Sequence, residues 1–404
     1  MKILVICDVP LVGFRPGMLV QSLSQRGHEV TFLGPRPLET SSNKSYEKVK
    51  LVYISGGRKW GNLFERGRQF IELYFKLSKL LRTERFDLLR PMMLLAGYLT
   101  IKCNERYGYP VLASHTDIYT DIYRQVNRPL PQIAVPLIFH MERVIVRNSD
   151  LLIVDTPVMR ELWKKWGLNE KKSVVLPHGA DYQMFRKGDS QKVKESYGIP
   201  NEKIIFFHGD ITHLDGLDIL IEATELLVKT LKEPFKVMIV GHGLKNYINF
   251  LRQIIIKKKL DKYFIFTGRK QYEEIPDYLA SADVCVDPCS VNLTTYSNVP
   301  NKIVEYIITN KPIIATDVPG LRVMFSDAIY CVPPKSPQAL SEAIFQILTD
   351  EVLREKLINK TKEVSEYYHS NKIIAQEEKL MELLTSGKVD DFRQYDWQLT
   401  YGKK

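Results

Sequence analysis

The stretch Pro300–Gly320 reads PNKIVEYIITNKPIIATDVPG and predicts a helix followed by a buried strand. Pro300 suits the first turn of a helix, where its missing N–H costs nothing. The apolar residues then share one helical face, at Ile303, Val304, Ile307 and Ile308. Lys311-Pro312 ends the helix, and Ile313–Ala315 is a short apolar run typical of a buried strand. If this helix starts at the carboxyl edge of a parallel sheet, its free N–H groups and its dipole favour an anion there.

Three blocks of this stretch resemble a family signature: Pro-Asn-Lys-x-x-Glu-Tyr, then Asn-Lys-Pro-Ile-Ile-Ala-Thr-Asp, then Pro-Gly. The pattern is similar to that of group 1 glycosyltransferases, retaining nucleotide-sugar enzymes of the GT-B fold. The resemblance implies an α/β protein with two Rossmann-like domains that face each other across a cleft. It also implies a C-terminal helix that crosses back to the first domain.

The resemblance assigns donor-binding roles to residues around the start of this helix. Glu305 would hold the ribose hydroxyls. The family usually carries a second glutamate eight residues earlier, where this chain has Ser297. Ser297, Asn298 and Val299 would offer polar and backbone groups to the phosphates or the sugar.

The second half of the chain departs from the family at two charged positions. Gly209 and Gly241 match glycines at strand ends in the donor domain. The arginine and lysine that usually neutralise the leaving diphosphate are replaced by Asp210 and Asp215, which would repel it. Another cation must therefore act, or the activity is lost. The candidates are Lys302, which is preferred, Arg269, Lys270, and Arg15 from the first domain; a solvated helix lysine is the alternative for Lys302.

The first half predicts an acceptor side. The strand Tyr109–Ala113 delivers His115 and Asp117 to the carboxyl edge of a parallel sheet, where ligands bind in open α/β folds. His115 is the candidate for a transition-state contact, with a structural histidine as the alternative, and Asp117 is the second choice. In the first loop, Gly13 would allow the backbone to approach a ligand.

The length of 404 residues favours two domains. We predict an N-terminal, acceptor-binding domain over 1–185 and a polar linker over 186–202. A nucleotide-sugar-binding domain follows over 203–370, and a crossing helix with its tail returns to the first domain over 371–404.

Composition limits the class and the compartment. The chain is 45% apolar with no apolar run long enough to span a membrane, and its five cysteines are scattered, which suits a reducing cytoplasm.

The net charge is +10, and residues 58–90 hold nine basic and four acidic residues in an amphipathic pattern. This segment predicts either a helix lying on an anionic membrane surface or an ordinary domain helix with a solvated basic face. The basic residues are spread and no nucleic-acid-reading module is present, so nucleic acid is not an expected partner.

We therefore expect a cytoplasmic glycosyltransferase, peripheral to the inner membrane face if the basic segment binds lipid. It would move a sugar from a nucleoside diphosphate donor to an acceptor hydroxyl of a glycan, a glycolipid or a lipid-linked molecule. The resemblance implies retention of configuration and no metal or other cofactor. Two alternatives remain open: a catalytically impaired relative that binds sugar nucleotides or a partner protein, and a nucleotide-sugar epimerase.

Overall fold

The computed structural model describes residues 1–10, 15–36, 46, 48–55, 63–125 and 129–397. It divides the chain into two compact units, one from Met1 to His178 joined by the residues from Ser370 onward, and one from Gly179 to His369. The boundary between the two units thus lies between His178 and Gly179, a few residues before the predicted boundary at residue 185. The predicted linker 186–202 lies inside the second unit and carries a helix, Ser190–Ser196, whose N-terminus is capped by Asp189.

The first unit is a parallel sheet flanked by helices. Its strands are β1 (Lys2–Cys7), β2 (Glu29–Pro35), β3 (Val49–Ile54), β4 (Leu88–Met92), β5 (Leu112–Ser114), β6 (Leu151–Val154) and β7 (Ser173–Val175). Its helices are α1 (Arg15–Gln25), α2 (Leu63–Thr83), α3 (Leu94–Asn104), α4 (Tyr119–Gln125), α5 (Pro129–Asn148) and α6 (Pro157–Lys165). The strand order is β3-β2-β1-β4-β5-β6-β7, so the direction of winding reverses between β1 and β4.

The second unit repeats this plan. Its helices before the sheet are α7 (Tyr182–Phe185) and α8 (Ser190–Ser196), and its strands are β8 (Lys203–Ile211), β9 (Phe235–Gly243), β10 (Phe264–Gly268), β11 (Val284–Asp287), β12 (Ile313–Thr316) and β13 (Tyr330–Val332). The remaining helices are α9 (Leu217–Thr230), α10 (Lys245–Lys257), α11 (Ile275–Ala280), α12 (Leu293–Ser297), α13 (Asn301–Ile308), α14 (Pro319–Phe325), α15 (Pro337–Thr349) and α16 (Glu351–Ser365). The order β10-β9-β8-β11-β12-β13 reverses between β8 and β11.

Both sheets are parallel, and their central strands are buried on both faces, which is why they read as apolar runs in the sequence. Right-handed crossovers then place helices on both sides of each sheet. A core cluster of the second unit joins strand residues such as Ile205 and Ile239 to Leu220 of α9 and Ile344 of α15.

The predicted crossing helix is α17 (Ser370–Ser386), and it belongs to the first unit. Glu377 of α17 lies 2.6 Å from Nε of Arg90 in β4, and both side chains are buried. Glu378 pairs with Arg26 and with His28. These contacts hold the last helix on the first unit, as the resemblance implies.

Two segments have local structure that composition alone does not indicate. The polar run 290–299 contains the short helix α12, whose N-terminus is capped by Asn292. Helix α5 begins at Pro129 and contains Pro136.

Candidate active site

The second sheet reverses its winding between β8 and β11, and this is where open α/β sheets bind ligands. The loops after these two strands contact each other closely. The backbone N–H of Ser290 donates to the carbonyl of Leu214 at 2.8 Å. Gly216 has φ +64°, and a Cβ there would lie 1.8 Å from the carbonyl oxygen of Pro288, so only glycine allows this approach.

Lys302, in the first turn of α13, lies between two carboxylates of this edge. Its Nζ is 2.8 Å from Asp287 at the end of β11 and 3.0 Å from Asp215 in the loop after β8. Burial lowers the pKa of the ammonium, but the two carboxylates outweigh burial and raise it above its ordinary value. Lys302 is therefore a fixed, charged group, not the solvated lysine that the sequence left as the alternative.

Asp215 has a second role that the sequence did not indicate. Its other oxygen accepts hydrogen bonds from the backbone N–H and the hydroxyl of Thr212, at 3.0 and 2.6 Å. The aspartate that stands where the family has lysine thus shapes the loop after β8 and orients Lys302.

Glu305, one turn further along α13, is held at both oxygens. The hydroxyl of Tyr272 donates to Oε1 at 3.1 Å, and Nε2 of His208 lies 2.7 Å from Oε2. Burial, together with the Glu305 charge, raises the pKa of Tyr272 well above its ordinary value, so the phenol remains a donor at neutral pH. Glu305 itself is only 2% exposed.

The amino end of α13 is open to an anion. Pro300 is its N-cap residue, and no described side chain accepts a hydrogen bond from its first N–H groups. The side-chain oxygen of Asn298, two residues earlier, is buried and makes no hydrogen bond within the described residues. The N–H of Ile303 donates to the carbonyl of Pro300 at 3.0 Å, so the N–H groups of the two preceding residues, the helix dipole and Lys302 favour negative charge here.

The two glycines predicted for donor binding differ in their surroundings. Gly209 has φ +140°, and a Cβ there would lie 3.9 Å from Nζ of Lys302, so Gly209 borders the cluster. Gly241 pairs with Gly209 across β8 and β9, and a Cβ there would lie 1.9 Å from the Gly209 carbonyl oxygen. Strand packing alone thus requires Gly241 to be glycine.

Three other predicted donor-side residues lie in different settings. The hydroxyl of Ser297 donates to the carbonyl of Leu293 in its own helix, and the residue is fully buried. Val299 is buried. Arg269 is exposed after β10, an edge strand that β9 separates from β8. A donor contact through any of these residues stays a prediction.

The predicted acceptor side lies at the carboxyl edge of the first sheet. His115 is completely buried; its Nε2 lies 3.3 Å from Glu142 of α5, and its ring packs near Tyr119 and Trp163. This setting is that of a structural histidine, so a substrate contact would require the first unit to open. Asp117 is half-buried beside α4. Gly13 lies outside the described residues, as does the side chain of Arg15.

The sequence missed the partners of the two key residues in α13. Asp287 is the last residue of β11, and His208 comes directly after the apolar run Ile204–Phe207 within β8; a polar residue directly after an apolar run was the available signal. Tyr272 follows β10 in a short helical turn and offered no signal, because its contact with Glu305 joins residues 33 positions apart.

Comparison with known proteins finds relatives of both halves of the chain. A family model described as "Glycosyl transferases group 1" matches residues 189–364, and one described as "Glycosyltransferase Family 4" matches residues 17–183. The putative teichuronic acid biosynthesis glycosyltransferase TuaC of Bacillus subtilis is 25% identical over 382 residues, which cover 85% of this chain and 88% of that protein.

Solved structures show the same fold. Sucrose-phosphate synthase from Thermosynechococcus elongatus superimposes with a TM-score of 0.79 at 16% identity, over 96% of this chain and 100% of that one. Anabaena Alr3699/HepE, solved in complex with UDP-glucose, gives 0.73 at 14% identity, over 95% and 100%. The two parallel sheets are thus the two Rossmann-like domains of a GT-B fold. With both halves matched by glycosyltransferase models, the chain is a glycosyltransferase, and its second half is similar to the group 1 enzymes.

Proposed function

We propose that the second unit binds a nucleoside diphosphate sugar and that the enzyme transfers the sugar to an acceptor hydroxyl with retention of configuration. The observation that carries the proposal is the amino end of α13. There, N–H groups that no described side chain caps adjoin the fixed ammonium of Lys302, and Glu305 follows one turn later. The complexes of HepE with UDP and with UDP-glucose support a nucleotide-sugar donor.

The diphosphate would lie against the first turn of α13. As the bond between the anomeric carbon and the phosphate oxygen breaks, its electron pair passes to the diphosphate. The acceptor oxygen then bonds to the anomeric carbon on the same face, and its proton moves to the leaving phosphate. Donors already aimed at the growing negative charge lower the barrier without reorganising. In this proposal no metal is needed.

Lys302 would supply the cation that Asp210 and Asp215 do not. It brings one positive charge but is bound to two carboxylates, so most of the diphosphate stabilisation falls to the N–H groups of α13. Asp215 and Asp287 hold the ammonium in place. A positioned cation loses less entropy when the donor binds than a mobile lysine would.

Glu305 would hold the ribose hydroxyls. Each carboxylate oxygen has two lone pairs, so a carboxylate that Tyr272 and His208 already engage can accept further hydrogen bonds. Because Glu305 is almost fully buried, the ribose would reach it only if Tyr272 moves aside. Tyr272 would then cover the carboxylate while the site is empty.

The acceptor is proposed to be a growing glycan or a lipid-linked molecule. The similarity to a putative teichuronic acid biosynthesis enzyme supports a polysaccharide-related acceptor. We also propose a cytoplasmic enzyme peripheral to the membrane. Within the described residues no helix is long and apolar enough to cross a membrane.

A thermal-shift screen of nucleoside diphosphate sugars tests the donor proposal. A donor at one hundred times its Kd should stabilise the second unit by about 2.7 kcal/mol. The best donor is then incubated with candidate acceptors, and the anomeric configuration of the product is read by NMR. If no nucleoside diphosphate sugar shifts the unfolding transition, the donor assignment is wrong; an inverted product would overturn retention alone.

A further inference from the structure

Helix α2 of the first unit exposes large apolar side chains. Phe64, Ile71 and Phe75 are 82%, 56% and 66% exposed. With Arg68, Lys79 and Arg82, which are also exposed, they follow one another at intervals of three or four residues, so all six lie on one ridge of the helix. The opposite face carries Leu73, Leu77 and Leu81 and is buried. Within the described part of the chain, this ridge is therefore exposed and not part of the core.

Helix α5 repeats the pattern. Its outer residues Ile133 and Leu137 are 74% and 59% exposed, and exposed His140 continues the same ridge. The spacing of four and three residues again places these side chains on one helical face. Two helices of the first unit thus present apolar residues outward.

The two ridges belong to one surface. Helix α3 packs between α2 and α5. The ring of Tyr98 in α3 stacks on Phe70 of α2 with centroids 6.4 Å apart, and it meets His140 of α5 edge-on at 6.2 Å. Half-buried aromatic rings therefore join the exposed ridges across the middle helix. We call the face formed by Phe64, Arg68, Ile71, Phe75, Lys79, Arg82, Ile133 and Leu137 the apolar-basic face.

The positive charge of this face indicates which kind of partner can bind it. Helix α2 carries five basic and two acidic residues. Glu72 accepts hydrogen bonds from the backbone N–H and the hydroxyl of Ser55, and it also pairs with Arg68 at 3.2 Å, so Lys79 and Arg82 contribute most of the positive charge of the face. A second copy of the chain would place this face against itself, since a two-fold interface joins identical patches. Arg68 would then meet the Lys79 and Arg82 end of the partner helix, and like charges would oppose.

We propose that the apolar-basic face binds the surface of an anionic lipid bilayer. Apolar side chains would enter the boundary between headgroups and acyl chains, while Arg68, Lys79 and Arg82 contact lipid phosphates. This inference deepens the proposed peripheral contact and is independent of the donor site, because every residue of the face lies in the first unit and outside the α13 cluster.

Vesicle sedimentation with the full chain tests the proposal. Phosphatidylcholine vesicles are compared with vesicles of phosphatidylcholine and phosphatidylglycerol in equal parts, at low and high salt. We expect binding to the anionic vesicles that weakens with salt, and at least tenfold weaker binding of Ile71→Ser/Phe75→Ser. Lys79→Glu/Arg82→Glu should lose the preference for anionic lipid.

The test includes one matched control variant, and two outcomes would contradict the proposal. Ile256→Ser/Val352→Ser removes two exposed apolar side chains from the second unit and should bind vesicles as the wild type does. Absence of wild-type binding to anionic vesicles would overturn the proposal. So would a dimer, seen by sedimentation velocity, that Ile71→Ser/Phe75→Ser dissociates. Donor-induced thermal shifts are measured on the same variants and should be unchanged, so failure of the donor site would be seen separately.

Discussion

The two sheets share a strand order but treat the helix ends at their carboxyl edges differently. In the first unit, Oδ2 of Asp8 accepts from the N–H of Leu95 at the start of α3, and Glu142 accepts from the N–H groups of Tyr119 and Thr120 at the start of α4. In the second unit, no described side chain caps α13. At the first edge, carboxylates of the chain thus accept hydrogen bonds from the starts of α3 and α4, whereas no described side chain does so at the start of α13.

The carboxylates at the two edges therefore have different roles. Carboxylates at the first edge stabilise the loops that follow the strands. At the second edge, Asp215 and Asp287 bind the cation of α13 instead of its N–H groups. The comparison therefore predicts that variants at the first edge change stability, whereas variants in α13 also change donor binding.

Replacement of Lys302 by methionine should have the largest effect. It leaves the buried carboxylates of Asp287 and Asp215 without their cation, so the free energy of unfolding should fall by about 3–5 kcal/mol. Urea denaturation at neutral pH measures the loss. The double variant Lys302→Met/Asp287→Asn should recover part of it; a double variant no more stable than the single one would contradict the ion-pair explanation.

Glu305→Gln should weaken donor binding roughly ten- to hundredfold, because a charged hydrogen bond to the ribose contributes about 1.5–3 kcal/mol. Isothermal titration with the best donor from the screen measures this change. Glu142→Gln is the matched control, a buried glutamate of the first edge with hydrogen-bonded oxygens. Equal affinities for wild type and Glu305→Gln would remove Glu305 from the site.

Glu142→Gln should instead cost about 1–3 kcal/mol of stability, since the N–H groups that begin α4 lose a charged acceptor. The unfolding midpoint in urea reports this change, and donor affinity should stay at the wild-type value. A loss of donor affinity as large as that of Glu305→Gln would place the nucleotide at the first edge and reverse the comparison.

Asp8→Asn should have the smallest effect, and it should depend on pH. Burial raises the pKa of Asp8 above its ordinary 3.8, against the opposing charge of Arg66. As pH rises above 3.8, the unfolded chain releases this proton before the folded chain does, so the wild type loses stability.

The variant lacks this penalty and keeps a side-chain oxygen that can accept from Leu95. Its advantage in unfolding free energy should be near zero at about pH 4 and should grow as the pH rises toward neutral. Urea denaturation across this range measures it. A pH-independent difference between the two proteins would contradict the buried-carboxylate explanation.

Much of the fold could be predicted because its signals are local. Apolar runs such as Lys2–Cys7 and Val284–Asp287 identify buried parallel strands, and Ile303, Val304 and Ile307 share the buried face of α13. The position of Glu305 in α13 followed from the same pattern. The predicted linker was wrong because polar composition at 186–202 does not distinguish a linker from a capped surface helix such as α8.

The sequence by itself determined two strand–helix series, the family, and a helix whose amino end suits an anion, because periodicity and capping depend on residues a few positions apart. Only the tertiary structure decided which charges meet. Lys302 pairs with Asp215, which is 87 positions away in the sequence, and Glu305 contacts Tyr272 and His208. Such pairs depend on distances that folding sets between remote segments, and His115 became a buried partner of Glu142 for the same reason.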